Sequence, residues 1–256
     1  MSLNGESSFR LHVVGNLSKK RVMLIHGMGF DWKNCFGSIA DELKKEFCVL
    51  LPELNGHNSE NKGTFTTVYD SADEIINEIE KLQVTEIECL YGISLGASIA
   101  LEIALRKKLL IKKLILDGGQ YESMGVKKYF FSFCMAMEFR KIINGKRMME
   151  VVSKQMGYRN GDEKLILLPL CCKNLKFYTL YKSALAAYSY DIRNRKEKLD
   201  MKVIILHGEK EIYAAHSALI VQKKCIYGCE IKICEKCGHS ELLSLNPLKL
   251  CDIIKK

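Results

Sequence analysis

The chain alternates between short strand-like runs, several of them apolar almost throughout, and longer segments in which apolar residues recur at helical spacing. The strand-like runs lie at residues 21–25, 47–51, 87–91, 113–116, 202–206 and 230–234. Continuous apolar runs of this length are typical of buried parallel strands, because helices cover both faces of such a sheet. The alternation therefore predicts an α/β fold, a mostly parallel sheet flanked by helices.

Short sequence patterns predict one further strand, the start of one helix and the end of one strand. Residues 8–14 alternate apolar with polar side chains, which is the period-two pattern of a half-buried strand. Ser71 followed by Glu74 forms a capping-box signature and predicts that a helix begins there. Pro52 predicts the end of the strand at residues 47–51, since proline has no N–H for a β-ladder.

The alternation stops between residues 120 and 199. This stretch has no convincing strand run, and its aromatic residues and methionines recur at helical spacing. We interpret it as a helical lid or cap, inserted into a core formed by residues 1–119 and 200–256. The alternative is an extra helical layer without a functional role. Methionines and aromatic side chains also suit a pocket for apolar ligands.

Composition and charge exclude several classes of function. The chain is 48% hydrophobic and 27% charged, as is usual for a soluble globular protein. Its net charge of +9 comes mostly from scattered lysines, and no arginines interleave with aromatic residues as in a nucleic-acid groove. No apolar stretch approaches the roughly 20 residues that span a bilayer. We therefore expect a small-molecule substrate, no nucleic acid and no integral membrane segment.

The eleven cysteines are odd in number and scattered, and several lie inside apolar runs. Residues 1–10 show no basic head followed by an apolar core, so we expect no secretory signal, a cytoplasmic location and reduced thiols. Cys234 and Cys237 have the two-residue spacing of zinc ligands, but no second pair matches it. We expect neither a metal nor another cofactor.

Ser94 lies within the sequence Gly-Ile-Ser-Leu-Gly at residues 92–96, between a strand-like run and a helix-like one. A serine on a tight strand-to-helix turn presents its hydroxyl outside the sheet, and the flanking glycines let neighbouring backbone pass close by. The alternative is a serine that only caps the following helix. The context favours Ser94 as a nucleophile.

A serine nucleophile needs a base, which is usually histidine. His239 follows the last strand-like run and precedes the final helical run. Because parallel strands all deliver their carboxyl ends to one edge of the sheet, Ser94 and His239 can meet there. For His26 and His57, each beside a glycine in an early loop, a structural role is expected.

A carboxylate should orient this histidine and stabilise its charged form. Glu211 follows the strand at residues 202–206 and is the first candidate. Asp117 also ends a strand on this edge, and Glu209 lies two residues closer to the strand than Glu211. These two remain alternatives.

A tetrahedral intermediate needs two backbone N–H donors for its oxyanion. Leu95, directly after the candidate nucleophile, is positioned to supply one of them. The glycine-rich loop at residues 26–29 follows the neighbouring strand, and Met28 is its candidate donor.

Together, the serine turn, the His-Gly loop, the sequence Gly-His-Asn-Ser at residues 56–59, the acidic loop and the terminal Gly-His resemble the α/β-hydrolase superfamily. The resemblance covers nearly the whole chain outside the lid, in the family's order of nucleophile, acid and histidine. The chain departs from the family pattern in having one leading strand, glutamate as the acid, Asn58 after His57 and Ala97 after Gly96.

The leading hypothesis is a carboxylesterase-like serine hydrolase that cleaves a small carboxylic ester or thioester through an acyl-enzyme. The resemblance also implies a lyase or a carbon–carbon bond hydrolase on the same fold. A non-catalytic ligand-binding relative is the third hypothesis.

Overall fold

The computed structural model describes residues 9–58, 63–159 and 161–256. Ser8, at the start of the first predicted strand, and Ser59, in the predicted Gly-His-Asn-Ser motif, lie outside the described residues. Seven strands form one sheet: β1 (Arg10–Val14), β2 (Arg21–Ile25), β3 (Cys48–Glu53), β4 (Glu86–Ile93), β5 (Leu110–Asp117), β6 (Lys202–Gly208) and β7 (Glu230–Cys234).

The strand order is β1-β3-β2-β4-β5-β6-β7. β1 pairs antiparallel with β3, and every other neighbouring pair is parallel, which confirms the predicted mostly parallel sheet. From β3 the chain crosses β2 to reach β4, so the direction of winding reverses between β2 and β4. Ligands in open α/β sheets bind outside the carboxyl ends of the strands at such a switch point.

Ten α-helices complete the described fold: α1 (Trp32–Leu43), α2 (Val68–Lys81), α3 (Leu95–Arg106), α4 (Lys128–Ile143), α5 (Glu150–Gln155), α6 (Asp162–Leu167), α7 (Phe177–Ser189), α8 (Ile212–Gln222), α9 (Glu241–Leu245) and α10 (Pro247–Lys255). α3 is buried along its whole length except at Arg106. It packs against β4, β5, α2 and α7, because a helix that is apolar all round must be covered on every side. The switch point therefore has a rigid helix directly behind it.

The predicted helix start at Ser71 is wrong. α2 begins three residues earlier, with Thr67 as the N-cap. The Thr67 hydroxyl accepts the Asp70 N–H at 3.0 Å and donates to the Asp70 carboxylate at 2.8 Å. Ser71 is buried inside the helix, so the box that caps it is Thr67 with Asp70.

β3 also runs through Pro52 rather than ending before it. Its parallel ladder with β2 extends only to Leu50, whereas its antiparallel ladder with β1 includes Pro52 opposite Leu11. Pro52 therefore lies beyond the end of the ladder between β2 and β3, so this ladder does not need the N–H that proline lacks.

Between β5 and β6 the described residues form helices α4 to α7 and two short 3₁₀ turns. α4 packs along α7, and α7 also contacts α3. The outer side of α4 exposes several aromatic side chains, including Phe130 at 67% and Phe133 at 51%. In the described part of the chain, no helix is long and apolar enough to cross a membrane.

Candidate active site

Ser94 joins β4 to α3 in a backbone conformation that side-chain-bearing residues rarely adopt, with φ 56° and ψ −119°. Conformations of this kind cost about 1–3 kcal/mol and persist only where the surrounding structure enforces them. One such contact is the hydrogen bond from the Ser94 N–H to the Asp117 carbonyl, 2.8 Å long. The Ser94 side chain is half-buried at the carboxyl end of the central strand.

The two glycines around Ser94 permit backbone contacts that a Cβ would prevent. A Cβ on Gly92 would collide with the Gly96 carbonyl, and one on Gly96 would collide with the Ile25 carbonyl and lie 2.6 Å from the His26 carbonyl. The sequence at residues 92–96 therefore allows β4, α3 and the end of β2 to converge at this point.

The loop at residues 26–29 lies against Ser94. A Cβ built on Gly27 would be 3.2 Å from the Ser94 Cβ. Met28 and Leu95 are both buried, and among the described residues neither N–H donates to a protein acceptor. Leu95 is the first residue of α3, where N–H groups have no intrahelical partner. Two unpaired donors thus flank the Ser94 turn.

His26 supports this loop from behind. Its Nδ1 lies 2.9 Å from the Gly27 carbonyl, and its Nε2 accepts the Leu54 N–H at 3.2 Å. Burial lowers the pKa of His26, so the ring is neutral and can act as donor and acceptor at once. Burial and the adjacent His26 lower the pKa of His57 to about 3, which makes His57 a weak base near neutral pH.

His239 is fully enclosed and pairs with Glu211. The His239 Nδ1 lies 2.7 Å from the Glu211 Oε2, and the Glu211 Oε1 accepts the Gly208 N–H, also at 2.7 Å. Both side chains are at most 3% exposed, so solvent hardly screens this pair. Of the three candidate carboxylates, Glu211 is the one in hydrogen-bond contact with His239.

The electrostatics of this pair follow from burial and mutual attraction. Burial opposes the charged form of each group, but the Glu211 carboxylate outweighs it and raises the pKa of His239. In turn, the charge of His239 and the hydrogen bonds that Glu211 accepts from His239, the Gly208 N–H and the Tyr213 hydroxyl outweigh burial. Together they lower the pKa of Glu211. The pair is therefore suited to hold a proton on the imidazole when one is delivered to it.

Ser94 and this pair meet at the end of β5. The Asp117 carbonyl accepts the Ser94 N–H, and a Cβ on the next residue, Gly118, would lie 2.9 Å from the His239 ring and 3.0 Å from the Glu211 Oε2. Among the described residues, no hydrogen bond joins Ser94 to His239. Such catalytic bonds are often long without substrate and shorten in the Michaelis complex.

The two alternative carboxylates have other partners. The Asp117 Oδ2 accepts the Tyr91 hydroxyl at 2.7 Å inside the core. Burial, with the negative charge of Glu211, raises the pKa of Asp117 to about 7. Glu209 is exposed, and its Oε2 accepts the Lys236 N–H at 2.7 Å. Glu209 therefore supports a turn, and among the described residues it forms no hydrogen bond with the His239 imidazole.

Sequence reasoning missed Tyr213. Its hydroxyl lies 3.0 Å from the Glu211 Oε2 and 2.9 Å from the His239 Nδ1, so it bridges the acid and the histidine. The only sequence signal is its position two residues after Glu211, at the start of α8. A helix start allows a side chain to turn back towards the preceding loop.

No metal-binding arrangement is found in the parts of the chain that the structure describes: nowhere in them do three or more His, Cys, Asp or Glu side chains come together as metal ligands. The four cysteines around β7 are divided between its two ends, with Cys225 and Cys229 before the strand, and Cys234 and Cys237 at and after its other end.

Comparison with known proteins places this geometry in a family context. The family model for the alpha/beta hydrolase fold matches residues 20–146. A crystal structure of a Desulfitobacterium hafniense protein described as an alpha/beta hydrolase family member is similar over 96% of this chain and 98% of that one, with 34% identity and a TM-score of 0.93. No curated protein sequence matches the chain.

Two further solved structures share the fold at lower identity. A lipase-esterase related protein from Clostridium acetobutylicum has 23% identity and a TM-score of 0.72, over 96% of this chain and 98% of that one. A thermophilic esterase from Thermogutta terrifontis has 17% identity and a TM-score of 0.70, over 96% and 91% of the two chains. At these identities the similarity concerns the fold alone.

Proposed function

Because the chain belongs to the α/β-hydrolase family, we propose that it is a serine hydrolase that cleaves a small carboxylic ester or thioester through an acyl-enzyme. Family membership supports hydrolase activity in general. The observation that carries the finer proposal is the buried pair of Glu211 and His239, which shares one sheet edge with the constrained Ser94. This combination supplies a nucleophile, a base and a group that orients the base.

In the first half-reaction, the Ser94 hydroxyl attacks the carbonyl carbon while its proton passes to the Nε2 of His239. Glu211 stabilises the resulting imidazolium from the Nδ1 side. The N–H groups of Met28 and Leu95 hold the oxyanion of the tetrahedral intermediate. When this intermediate collapses, His239 returns the proton to the departing alcohol or thiol, and the acyl group remains on Ser94.

In the second half-reaction, water replaces the leaving group. His239 takes a proton from the water as it attacks the acyl-enzyme, and the same donors hold the second oxyanion. Collapse expels the Ser94 oxygen, which recovers its proton from His239. The products are a carboxylic acid and the free enzyme, so no cofactor is required.

We further propose that residues 120–199 form a lid that shapes the acyl site. Phe139 of α4 and Leu180 of α7 lie against the loop beside Ser94, since a Cβ on Gly29 would be 2.8 Å from the Phe139 ring and 3.3 Å from a Leu180 methyl carbon. Gly29 has φ +75°, so a side chain there would also be strained. These apolar contacts favour an apolar acyl group over a charged one.

The proposal is tested with esters and thioesters of graded acyl length, together with a fluorophosphonate probe. We expect turnover of at least one member of this panel, and one covalent probe adduct on the peptide that contains Ser94. A protein that hydrolyses none of the panel and does not react with the probe would be a binding protein or would act on another bond. Reaction of the probe at a different serine would also contradict the proposal.

We expect Tyr213 to position His239 through Glu211. Removing its hydroxyl with Tyr213→Phe should lower kcat by about 3- to 20-fold and leave KM unchanged, because the lost bond supports the charged pair and not the substrate. Steady-state kinetics on the best ester measures both parameters.

Tyr190→Phe is the matched control for this change. The Tyr190 hydroxyl also donates to a buried glutamate, Glu102, at 3.1 Å, but this pair lies outside the candidate site. We expect Tyr190→Phe to lower the melting temperature without changing kcat. A normal kcat in Tyr213→Phe would assign the Tyr213 hydroxyl a purely structural role.

A further inference from the structure

The turn between β7 and His239 contains two free cysteines, Cys234 and Cys237, both half-buried. The Cys237 N–H donates to the Cys234 carbonyl at 3.3 Å, which closes a four-residue turn. A turn of this kind keeps its first and fourth Cα atoms within about 7 Å. Disulfides usually join Cα atoms about 4.4–6.8 Å apart, so the backbone already holds these cysteines near the separation that a disulfide requires.

The two thiols also interact. Burial and the neighbouring Cys234 thiol raise the pKa of Cys237 to about 12, which makes Cys237 a poor nucleophile when it is reduced and unmodified. Lys236, the third residue of the turn, has φ 59°, a left-handed conformation that favours glycine. Hydrogen bonds to a neighbouring loop therefore have to hold this turn in place.

These hydrogen bonds come from the loop that contains Glu211. The Glu209 N–H donates to the Cys234 carbonyl and the Lys210 N–H to the Cys237 carbonyl, each at 3.0 Å. The Lys236 N–H donates to the Glu209 carboxylate at 2.7 Å. Three hydrogen bonds thus join the dithiol turn to the loop that leads into Glu211, so we expect a change in the turn to affect Glu211.

The dithiol turn also lies next to His239 in the chain and in the fold. Gly238 alone separates Cys237 from His239, and a Cβ on Gly238 would lie 2.9 Å from the carbonyl oxygens of Met156 and Gly157. The His239 N–H donates to the Met156 carbonyl at 2.8 Å. With so little free space, we expect a shift of Cys237 to move His239 as well.

We propose that Cys234 and Cys237 form a redox modification site that takes low-molecular-weight disulfides as its oxidants. The Cys234 thiolate attacks the oxidant, forms a mixed disulfide and releases one small thiol. Once Cys234 is held in the mixed disulfide, the Cys237 thiol gives up its proton and attacks the Cys234 sulfur. The second small molecule leaves as a thiolate and takes up a proton. Two protein thiols are oxidised to one disulfide, and one disulfide oxidant is reduced to two thiols.

Closing this disulfide fixes the two sulfur atoms at about 2.05 Å and sets the bridge dihedral at about ±90°. We expect the turn, and with it His239 and Glu211, to adjust to this geometry and the reaction at Ser94 to slow. This consequence rests on the proposed function, whereas formation of the disulfide does not. A displacement of about 1 Å in a catalytic group can cost about 100-fold in rate. We therefore expect the oxidised protein to be at least about tenfold slower and to recover on reduction.

To test the proposal, the protein is treated with oxidised glutathione and two quantities are measured: its mass and its rate of labelling by a fluorophosphonate probe. Intact-mass measurement should show a loss of about 2 Da, for two hydrogen atoms, and peptide mapping should join Cys234 to Cys237. The rate of fluorophosphonate labelling should fall by at least about tenfold and recover with dithiothreitol. The first readout needs no substrate, so it stands or fails independently of the proposed hydrolase activity.

Single serine variants test the order of attack. Cys237→Ser should stop at a stable mixed disulfide of Cys234 with glutathione, whereas Cys234→Ser should resist the oxidant and keep its labelling rate. Cys225→Ser is the matched control: Cys225 and Cys229 adjoin the other end of β7, and this variant should oxidise like the wild type. Absence of the Cys234–Cys237 disulfide would overturn the modification site, and an unchanged labelling rate in the oxidised protein would overturn its effect on His239.

Discussion

Replacing Ser94 with alanine is expected to lower kcat/KM for the best ester by about 10⁴- to 10⁶-fold. Without the hydroxyl no acyl-enzyme can form, and only the oxyanion donors and substrate binding remain to accelerate attack by water. The Met28 and Leu95 N–H groups belong to the backbone, so they survive the substitution. Residual turnover should therefore still exceed the uncatalysed rate, and fluorophosphonate labelling should be abolished.

Ser98→Ala is the matched control for this substitution. Ser98 lies one turn further along α3 and is buried, and its hydroxyl donates to the Gln120 carbonyl at 3.0 Å. We expect this variant to keep kcat/KM within about threefold of the wild type, with a stability loss typical of one hydrogen bond, about 1 kcal/mol. Unchanged probe labelling in Ser94→Ala would reject Ser94 as the nucleophile.

A double variant tests whether Ser94 and His239 act as a unit. If His239 serves only to move the Ser94 proton, then Ser94→Ala combined with His239→Ala should be no slower than Ser94→Ala alone. The structure holds these residues at one sheet edge without a direct hydrogen bond, which makes this kinetic test informative. A further large loss in the double variant would indicate that His239 acts on substrate or water independently of Ser94.

Much of the architecture could be predicted from the sequence because it depends on local patterns. The apolar run at residues 21–25 coincides with β2, and the predicted strand at 230–234 coincides with β7. The prediction of a helix start failed where two nearby residues could each cap the same helix. Ser71 with Glu74 matched the capping-box pattern, but Thr67 caps the helix one turn earlier, where its hydroxyl accepts the Asp70 N–H and donates to the Asp70 carboxylate.

The candidate site was less accessible from the sequence, because its contacts link residues far apart in the chain. Parallel topology brings Ser94, Glu211 and His239 to one edge, and this could be anticipated from strand order alone. The bridging position of the Tyr213 hydroxyl depends on how α8 starts relative to Glu211, which no spacing rule specifies. The raised pKa of Asp117 likewise arises from burial and from Glu211, neither of which the sequence around Asp117 encodes.

Substituting Glu211 and Asp117 separately should distinguish the candidate acids, and the change at Glu211 is expected to have the second large effect on activity. Glu211→Gln should lower kcat/KM by about 10²- to 10⁴-fold, since an amide can neither stabilise the imidazolium nor enforce its tautomer. Asp117→Asn should remain within about threefold of the wild type, because the Asp117 side chain bonds to Tyr91 and not to His239. Steady-state kinetics on one ester compares both variants, and the reverse ranking would assign the role to Asp117.

The pH profile of Glu211→Gln provides an independent check. His239 must be neutral to accept the Ser94 proton, so activity rises as the pH passes the pKa of His239. Because the Glu211 carboxylate raises this pKa, its removal should move the rising limb to lower pH while the plateau falls. A limb that stays in place would mean that another carboxylate sets the pKa of His239.

Asp117→Asn should increase the stability of the protein although it leaves the activity close to that of the wild type. The folded-state pKa of Asp117 is raised to about 7 from an ordinary 3.8, so the folded protein binds this proton more strongly than the unfolded chain does. Ionising Asp117 therefore costs stability as the pH rises from about 4 to 7, and the full cost is present above pH 7.

Asparagine carries no charge and its amide oxygen still accepts the Tyr91 hydroxyl. We therefore expect Asp117→Asn to increase the free energy of unfolding at pH 8 by about 1–3 kcal/mol, with a smaller gain at pH 5. Urea unfolding at the two pH values measures this difference. A loss of stability at pH 8 would show that the ionised carboxylate is favourable where it lies, and would return Asp117 to consideration as the acid.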